Sequence, residues 1–160
     1  MNLKPNIAMI DDEYDLIDTY KELLGAKYNV TEFYDAESYL KYLEKFETNP
    51  FEVVISDYSL GAGANGLDML EKANSLNKHA AFILMSGYLD KESTLRAHNM
   101  GAHRILPKPI RIETLETEIQ NLMGSFISSP NPDDFFSGNN RGWMGTNIYV
   151  ELSIDILYRV

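Results

Sequence analysis

The hydrophobic positions of the first 124 residues alternate between two spacings. Short apolar runs with little polar alternation predict strands that are buried on both faces, as in a parallel sheet covered by helices. Between these runs, apolar residues recur at helical spacing; for example, Leu16, Tyr20, Leu23 and Leu24 fall on one predicted face. The predicted strands are 7–10, 28–34, 53–55, 81–85 and 104–106, and the predicted helices are 13–25, 36–46, 67–76, 90–100 and 112–123. This order predicts a doubly wound α/β domain with a five-stranded parallel sheet and five helices.

The pattern changes after Gly124, where we expect the last helix and the domain to end. Of the 18 residues 125–142, 11 are Ser, Pro, Asn or Gly, and this composition predicts a linker. Residues 143–160 form a β-like tail, in which apolar and polar positions alternate from Ile148 to Ile156. Because one strand cannot bury its apolar face alone, we expect either the start of a truncated output domain or a strand that pairs with a sheet edge, as in a homodimer.

Composition and charge exclude several classes of function. The chain has 14 Lys and Arg against 24 Asp and Glu, a formal net charge of −10, and it has no cysteine. The acidic balance argues against direct nucleic-acid binding through phosphates and against anionic membrane surfaces. The lack of cysteine excludes disulfides, a zinc ribbon and a cysteine nucleophile. With no membrane-length apolar stretch and no leader-like N-terminus, the sequence predicts a cytoplasmic protein.

Polar residues follow four of the five predicted strands at their carboxyl ends. They are Asp11 and Asp12 after the first strand, Asp57 after the third, Ser86 after the fourth and Lys108 after the fifth. In parallel sheets of this kind, ligands bind at the carboxyl ends of the strands. Two carboxylates about 5 Å apart repel by about 3 kcal/mol at an effective dielectric constant of 20. The acidic cluster therefore predicts a divalent cation with oxygen ligands, most simply Mg²⁺.

The same constellation has the chemistry of phosphoryl transfer. A lysine ammonium can hold an anionic oxygen, a serine hydroxyl can donate a hydrogen bond, and a carboxylate is a competent nucleophile. Each residue alone also has a structural interpretation: a helix cap for Asp11 or Asp12, a strand end for Asp57, a turn for Ser86 and a solvated loop for Lys108. Their joint occurrence at the strand ends, in this order, favours the functional interpretation.

With these residues the sequence resembles a response regulator receiver domain of two-component signalling. The resemblance covers residues 5–124 and depends on four segments: Asp11-Asp12, residues 53–57, residues 85–87 and residues 101–109. It implies a flavodoxin-like receiver over residues 1–124. It also implies that Asp57 accepts a phosphoryl group from a sensor histidine kinase or a histidine phosphotransfer protein. Such a domain is not an enzyme, because it promotes only its own phosphotransfer and dephosphorylation.

The resemblance also implies roles for the residues around Asp57. Asp12 would bind Mg²⁺ directly, Asp11 would bind it through water, and the backbone carbonyl of Ser59 would complete the protein ligands. Ser86 would bond the phosphoryl group and drive the conformational switch. Lys108 would hold a phosphoryl oxygen, and a cis peptide would join Lys108 to Pro109.

Two further positions bear on the switch that the resemblance implies. Receivers usually have an aromatic residue three positions before the lysine, and that residue turns inward on activation. Here the position is Ile105, so the usual aromatic switch is in question. Tyr88 stands two residues after Ser86, where the family varies, and would influence access to Asp57.

Two alternative functions use similar residues. A haloacid dehalogenase-like phosphatase also has an aspartate nucleophile, Mg²⁺, a hydroxyl residue and a lysine, but its nucleophile follows the first strand as Asp-x-Asp. This chain has the adjacent pair Asp11-Asp12 there, and its central aspartate, Asp57, follows the third strand. The second alternative is a pseudo-receiver, a binding module that is never phosphorylated.

Overall fold

A single parallel sheet forms the centre of the computed structural model, which describes residues 3–61 and 65–128 and the side chains up to residue 124. The five strands have the order β2-β1-β3-β4-β5, and each neighbouring pair is parallel. Neighbours that are not consecutive in the chain require crossovers, which the helices supply. The strands are β1 (Asn6–Ile10), β2 (Asn29–Phe33), β3 (Val53–Asp57), β4 (Ala81–Ser86) and β5 (Arg104–Pro107).

Five helices alternate with the strands and confirm the predicted fold class. Three of them begin at a residue whose side chain caps the helix: Asp35, Asn65 and Asp90 each accept a hydrogen bond from a backbone N–H of the first turn. The helices are α1 (Tyr14–Leu24), α2 (Ala36–Leu43), α3 (Gly66–Ser75), α4 (Lys91–Asn99) and α5 (Ile112–Ser128).

The predicted end of the last helix at Gly124 is wrong, because α5 continues to Ser128. A glycine stops a helix when its backbone turns left-handed, and Gly124 does not have a positive φ. The helix therefore enters the first four residues of the predicted linker. The remainder of the linker 125–142 and the whole tail 143–160 lie outside the described residues, as does any strand pairing or homodimer that the tail would form.

The sheet separates two hydrophobic layers. Along β1, Ala8 and Ile10 pack on one side, whereas Ile7 and Met9 pack on the other. Helices α2, α3 and α4 cover the first side, and α1 and α5 cover the second. This double burial explains why the strands read as continuous apolar runs. No helix in the described part of the chain is long and apolar enough to cross a membrane.

Helix α1 buries a slightly different face from the one predicted. Ile17, Tyr20 and Leu24 are buried, whereas Leu23 is 49% exposed. The observed spacing of three and four residues is the usual stripe of a helix on a sheet. Tyr20 lies on both faces, and its hydroxyl donates to the carbonyl of Ile110 in the loop after β5.

Candidate functional site

Strand pairing brings the acidic residues together. In the register of β1 and β3, Ile10 lies opposite Ser56, so Asp11 and Asp57 follow at the ends of adjacent strands. The carboxylates of Asp11, Asp12 and Asp57 each offer one oxygen, and these oxygens all lie within 4.8 Å of one another. Asp11 and Asp57 are buried, at 1% and 7% exposure, whereas Asp12 is exposed. The cluster thus has two buried carboxylates and one that faces solvent.

The helix-cap interpretation of the acidic pair does not hold. Glu13 occupies the N-cap of α1 and makes no side-chain cap bond. Asp11 instead accepts a hydrogen bond of 3.0 Å at Oδ1 from the backbone N–H of Glu13. That bond orients the buried carboxylate and leaves its Oδ2 for the ion pair with Lys108.

Lys108 reaches the cluster from the loop after β5. Its Nζ lies 3.2 Å from Oδ2 of Asp11 and 3.1 Å from Oδ2 of Asp57. The backbone of this loop is tied to β4, since the N–H of Lys108 donates to the carbonyl of Ser86 at 2.7 Å. The Lys108–Pro109 peptide bond is cis. Lys108 thus contacts both buried carboxylates at once.

The protonation of these groups reflects their burial and their charges. Burial raises the pKa of Asp11; the N–H of Glu13 and the charge of Lys108 oppose this rise, and the charge of Asp57 adds to it. Burial also lowers the pKa of Lys108, but its hydrogen bond to Asp57 and the charges of both carboxylates outweigh that effect and raise it. Lys108 therefore remains a charged ammonium.

The donor set fits a divalent cation. Three carboxylates face one ammonium, so the metal-free cluster keeps an excess of negative charge when all three are ionised. Clustered carboxylate oxygens are the ligands that Mg²⁺ prefers. We find no comparable group of three acidic or histidine ligands elsewhere in residues 3–61 and 65–128.

The loop after β3 passes close to this cluster. Gly61 has a φ of +72°, and a Cβ there would lie 3.2 Å from Oδ2 of Asp12. A side chain at this position would therefore strain the backbone and crowd the carboxylate. Ser59 is exposed in the same loop and forms an isolated bridge with Asn65. The role of its carbonyl as a metal ligand stays a prediction.

Ser86 lies at the end of β4, on the strand next to Asp57. Its hydroxyl donates to the carbonyl of Tyr88 at 2.7 Å and accepts from the N–H of Tyr88 at 3.1 Å. Ser86 is buried, whereas the side chain of Tyr88 is 77% exposed. The hydroxyl predicted to bond a phosphoryl group is thus engaged by the β4–α4 loop.

Ile105 lies in the hydrophobic layer and not at the carboxylate cluster. It is 1% exposed and packs in the hydrophobic layer that contains Leu84 and Ala97. In this structure the side chain of Ile105 already points inward. Its part in a switch stays a prediction, as does that of Tyr88.

Tyr20 lies near the site, although its sequence pattern does not indicate this. Tyr20 has the spacing of a core residue, yet its hydroxyl donates to the carbonyl of Ile110 at 3.1 Å. The partners are 90 positions apart, so no local pattern could have indicated the bond. It connects α1 with the loop that carries Lys108.

Comparisons with known proteins point to one family. A probable chemotaxis protein CheY from Rhizobium etli is 28% identical over 127 residues, which span 76% of this chain and 95% of that protein. The two-component response regulator ARR2 of Arabidopsis thaliana is 34% identical over 117 residues, which span 73% of this chain and 17% of that protein.

Solved structures and the family model agree with these relatives. The crystal structure of a response regulator receiver domain protein from Clostridium thermocellum has a TM-score of 0.69 and 26% identity, covering 77% of this chain and 97% of that one. The model of the response regulator receiver domain matches residues 7–120, which include every residue of the carboxylate cluster and Lys108. The chain therefore belongs to the receiver domain family of two-component response regulators.

Proposed function

We propose that this receiver accepts a phosphoryl group on Asp57 from a phosphohistidine of a sensor histidine kinase or histidine phosphotransfer protein. Receivers in general are phosphoacceptor signalling domains that work with such partners and bind Mg²⁺ through an acidic cluster. The observation that carries the proposal for this chain is the contact of Lys108 with Asp57 inside the three-carboxylate cluster. A cytoplasmic location stays a prediction.

In the proposed step, a carboxylate oxygen of Asp57 attacks phosphorus in line with the leaving nitrogen. The O–P bond forms as the P–N bond breaks, and the imidazole keeps the electron pair and takes a proton from water. Lys108 holds a phosphoryl oxygen and balances its charge. Asp12, Asp57, the carbonyl of Ser59 and, through water, Asp11 would hold Mg²⁺, which would supply positive charge next to the carboxylates and the phosphoryl oxygens.

The contacts of Ser86 suggest how phosphorylation changes the surface. Its hydroxyl has one proton, which is donated to the carbonyl of Tyr88 in the unphosphorylated protein. A phosphoryl oxygen on Asp57 would compete for that proton as a stronger, charged acceptor. Transfer of the bond would release the loop that begins α4, which shifts the population between two conformations.

A labelling experiment tests the proposal. The full chain is incubated with acetyl phosphate and Mg²⁺, and the phosphoryl group is located by mass spectrometry. We expect one label per molecule that hydroxylamine removes in wild type, none in Asp57→Asn, and normal labelling in Asp68→Asn, which changes an aspartate on α3 outside the cluster. Beryllofluoride with Mg²⁺ should bind wild type and not Asp57→Asn.

The same experiment separates the alternatives. A phosphatase of the haloacid dehalogenase type would hydrolyse phosphate esters over many turnovers, whereas a receiver labels itself once. A pseudo-receiver would take up neither phosphate nor beryllofluoride although it folds normally. Labelling that survives in Asp57→Asn would put the acceptor elsewhere and overturn the proposal.

A further inference from the structure

Tyr20 ties α1 to the loop that presents Lys108. The side chain is 7% exposed, and its hydroxyl donates to the carbonyl of Ile110 at 3.1 Å. Ile110 stands two residues after Lys108 and two residues before α5 begins at Ile112. The bond therefore fixes α1 to the segment between Lys108 and the start of α5.

The side chains of Ile110 and Ile112 pack against the hydrophobic layer on this side of the sheet, and backbone hydrogen bonds flank this segment at its two ends. At one end, the N–H of Lys108 donates to the carbonyl of Ser86 at 2.7 Å. At the other end, the N–H of Leu115 donates to the carbonyl of Arg111 at 3.1 Å in the first turn of α5. The phenol of Tyr20 holds the carbonyl that lies between these two points.

The pKa of Tyr20 also reflects the proximity of its phenol to Lys108 and Asp11. Burial raises the pKa of its phenol, the charge of Lys108 opposes the rise, and the charge of Asp11 adds to it. The hydroxyl thus keeps its proton at neutral pH and remains a donor to the carbonyl of Ile110. It lies within the field of the two groups that form the ion pair.

We propose that Tyr20 is a positioning residue for phosphoryl transfer, which acts by fixing the backbone after Lys108 so that its ammonium stays on Asp11 and Asp57. This inference rests on the proposed function of Asp57. A lysine side chain has a long, flexible stem, so the place of its charge depends on how firmly its backbone is held. Small displacements of a positioning group slow a reaction that depends on geometry.

A second buried tyrosine supplies a matched control. Tyr28 is 4% exposed, packs in the same hydrophobic layer as Tyr20, and its phenol bonds the side chain of Gln120 on α5. Tyr28→Phe therefore removes a phenol from the α1–α5 side of the sheet without touching the Lys108 loop. Both substitutions keep the buried ring, so both variants should fold.

The first measurement needs neither metal nor phosphodonor. Amide hydrogen exchange of Lys108 is followed in the metal-free full chain, because that N–H is protected by its bond to Ser86. We expect Tyr20→Phe to speed this exchange by roughly three- to tenfold, the factor that corresponds to one hydrogen bond. Tyr28→Phe should leave it unchanged. Equal exchange in the two variants would overturn the proposal.

The second measurement asks whether Tyr20 acts through Lys108. At saturating Mg²⁺, Tyr20→Phe should slow labelling by acetyl phosphate by roughly three- to tenfold, and Tyr28→Phe should not. On a Lys108→Met background, Tyr20→Phe should slow labelling no further. An equal loss with and without the lysine would show a purely structural role and refute the proposal. If wild type takes no label, the proposed function fails, and the exchange measurement still decides whether Tyr20 positions the loop.

Discussion

The ammonium nitrogen of Lys108 lies 3.1 Å from Oδ2 of Asp57, so an ion pair joins the ends of β5 and β3 across the intervening strand β4. The lysine side chain is 20% exposed and the aspartate side chain 10% exposed, so water screens the pair only in part. Among the described residues, Lys108 is the one positively charged group that contacts the carboxylate cluster. The pair therefore places a positive charge beside any cation that the cluster would bind.

Removing that charge should affect stability and metal binding in opposite directions. Lys108→Met keeps an apolar stem but leaves the carboxylates uncompensated, so we expect the metal-free free energy of unfolding to fall by about 1–3 kcal/mol. Mg²⁺ should bind about tenfold more tightly, because one repelling charge has gone. Urea unfolding with and without Mg²⁺ measures both effects. Lys72→Met, on the exposed side of α3, is the control, and weaker Mg²⁺ binding in Lys108→Met would contradict the prediction.

A second ion pair, away from the site, should support the fold. Arg104 on β5 contacts Glu118 on α5 at 2.7 Å, and the two side chains are only 12% and 10% exposed. Glu118→Gln removes the carboxylate charge that faces Arg104 where water screens the pair poorly, so it should cost about 3 kcal/mol of unfolding free energy.

The matched control for this pair lies on the same helix. Glu116 contacts Lys27 at 3.4 Å, with side chains that are 25% and 58% exposed, and Glu116→Gln should cost less than about 1 kcal/mol. Replacing both partners, as in Arg104→Met with Glu118→Leu, should recover most of the lost stability. Equal losses for Glu118→Gln and Glu116→Gln in urea unfolding would show that burial of the pair is unimportant.

The convergence of the acidic residues could be predicted because it follows from connectivity. Parallel strands put their carboxyl ends at one edge, so Asp11 and Asp57 meet once β1 and β3 are neighbours. Apolar spacing could not decide which of Ile17 and Leu23 α1 buries, since both lie three residues from Tyr20. That choice depends on how α1 packs against the sheet and α5. The bond between Tyr20 and Ile110 depends on the same packing.

The partly buried His103 should make the fold sensitive to acid. Nδ1 of His103 accepts a hydrogen bond of 3.1 Å from the N–H of Phe82, which a protonated Nδ1 could not do. Burial, with a contribution from the charge of Arg104, lowers the pKa of His103 to about 4 from 6.5. Because the unfolded chain binds the proton first, the stabilisation is complete above pH 6.5 and is lost as the pH falls toward 4, by up to about 3 kcal/mol.

An asparagine at this position tests the source of the acid sensitivity. His103→Asn offers a neutral acceptor at a similar position and has no proton to gain. Its unfolding free energy should therefore change less than that of wild type between pH 6.5 and 4. His79→Asn removes an exposed histidine and serves as the control. If His103→Asn keeps the full wild-type slope in urea unfolding, the carboxylates rather than His103 cause the acid sensitivity.

Two glycines in helices should respond to alanine in opposite ways. Gly66 begins α3 against the end of β3, and a Cβ there would lie 2.6 Å from the carbonyl oxygen of Asp57 and 3.0 Å from Oγ of Ser56. Since the nearest atom is backbone, Gly66→Ala must shift the end of β3 or the start of α3. We expect a loss of about 1–3 kcal/mol of unfolding free energy and slower labelling of Asp57 by acetyl phosphate.

Gly124 is the matched control, because it lies within α5 and a Cβ there would meet nothing within 4 Å. Gly124→Ala should raise the free energy of unfolding by up to about 1 kcal/mol, since alanine loses less backbone entropy in a helix, and should leave labelling unchanged. Urea unfolding and labelling of both variants separate two roles for Gly66. If Gly66→Ala is destabilised but labelled at the wild-type rate, the close packing of Gly66 on the Asp57 carbonyl serves folding alone. If the variant is also labelled slowly, that packing sets the position of Asp57.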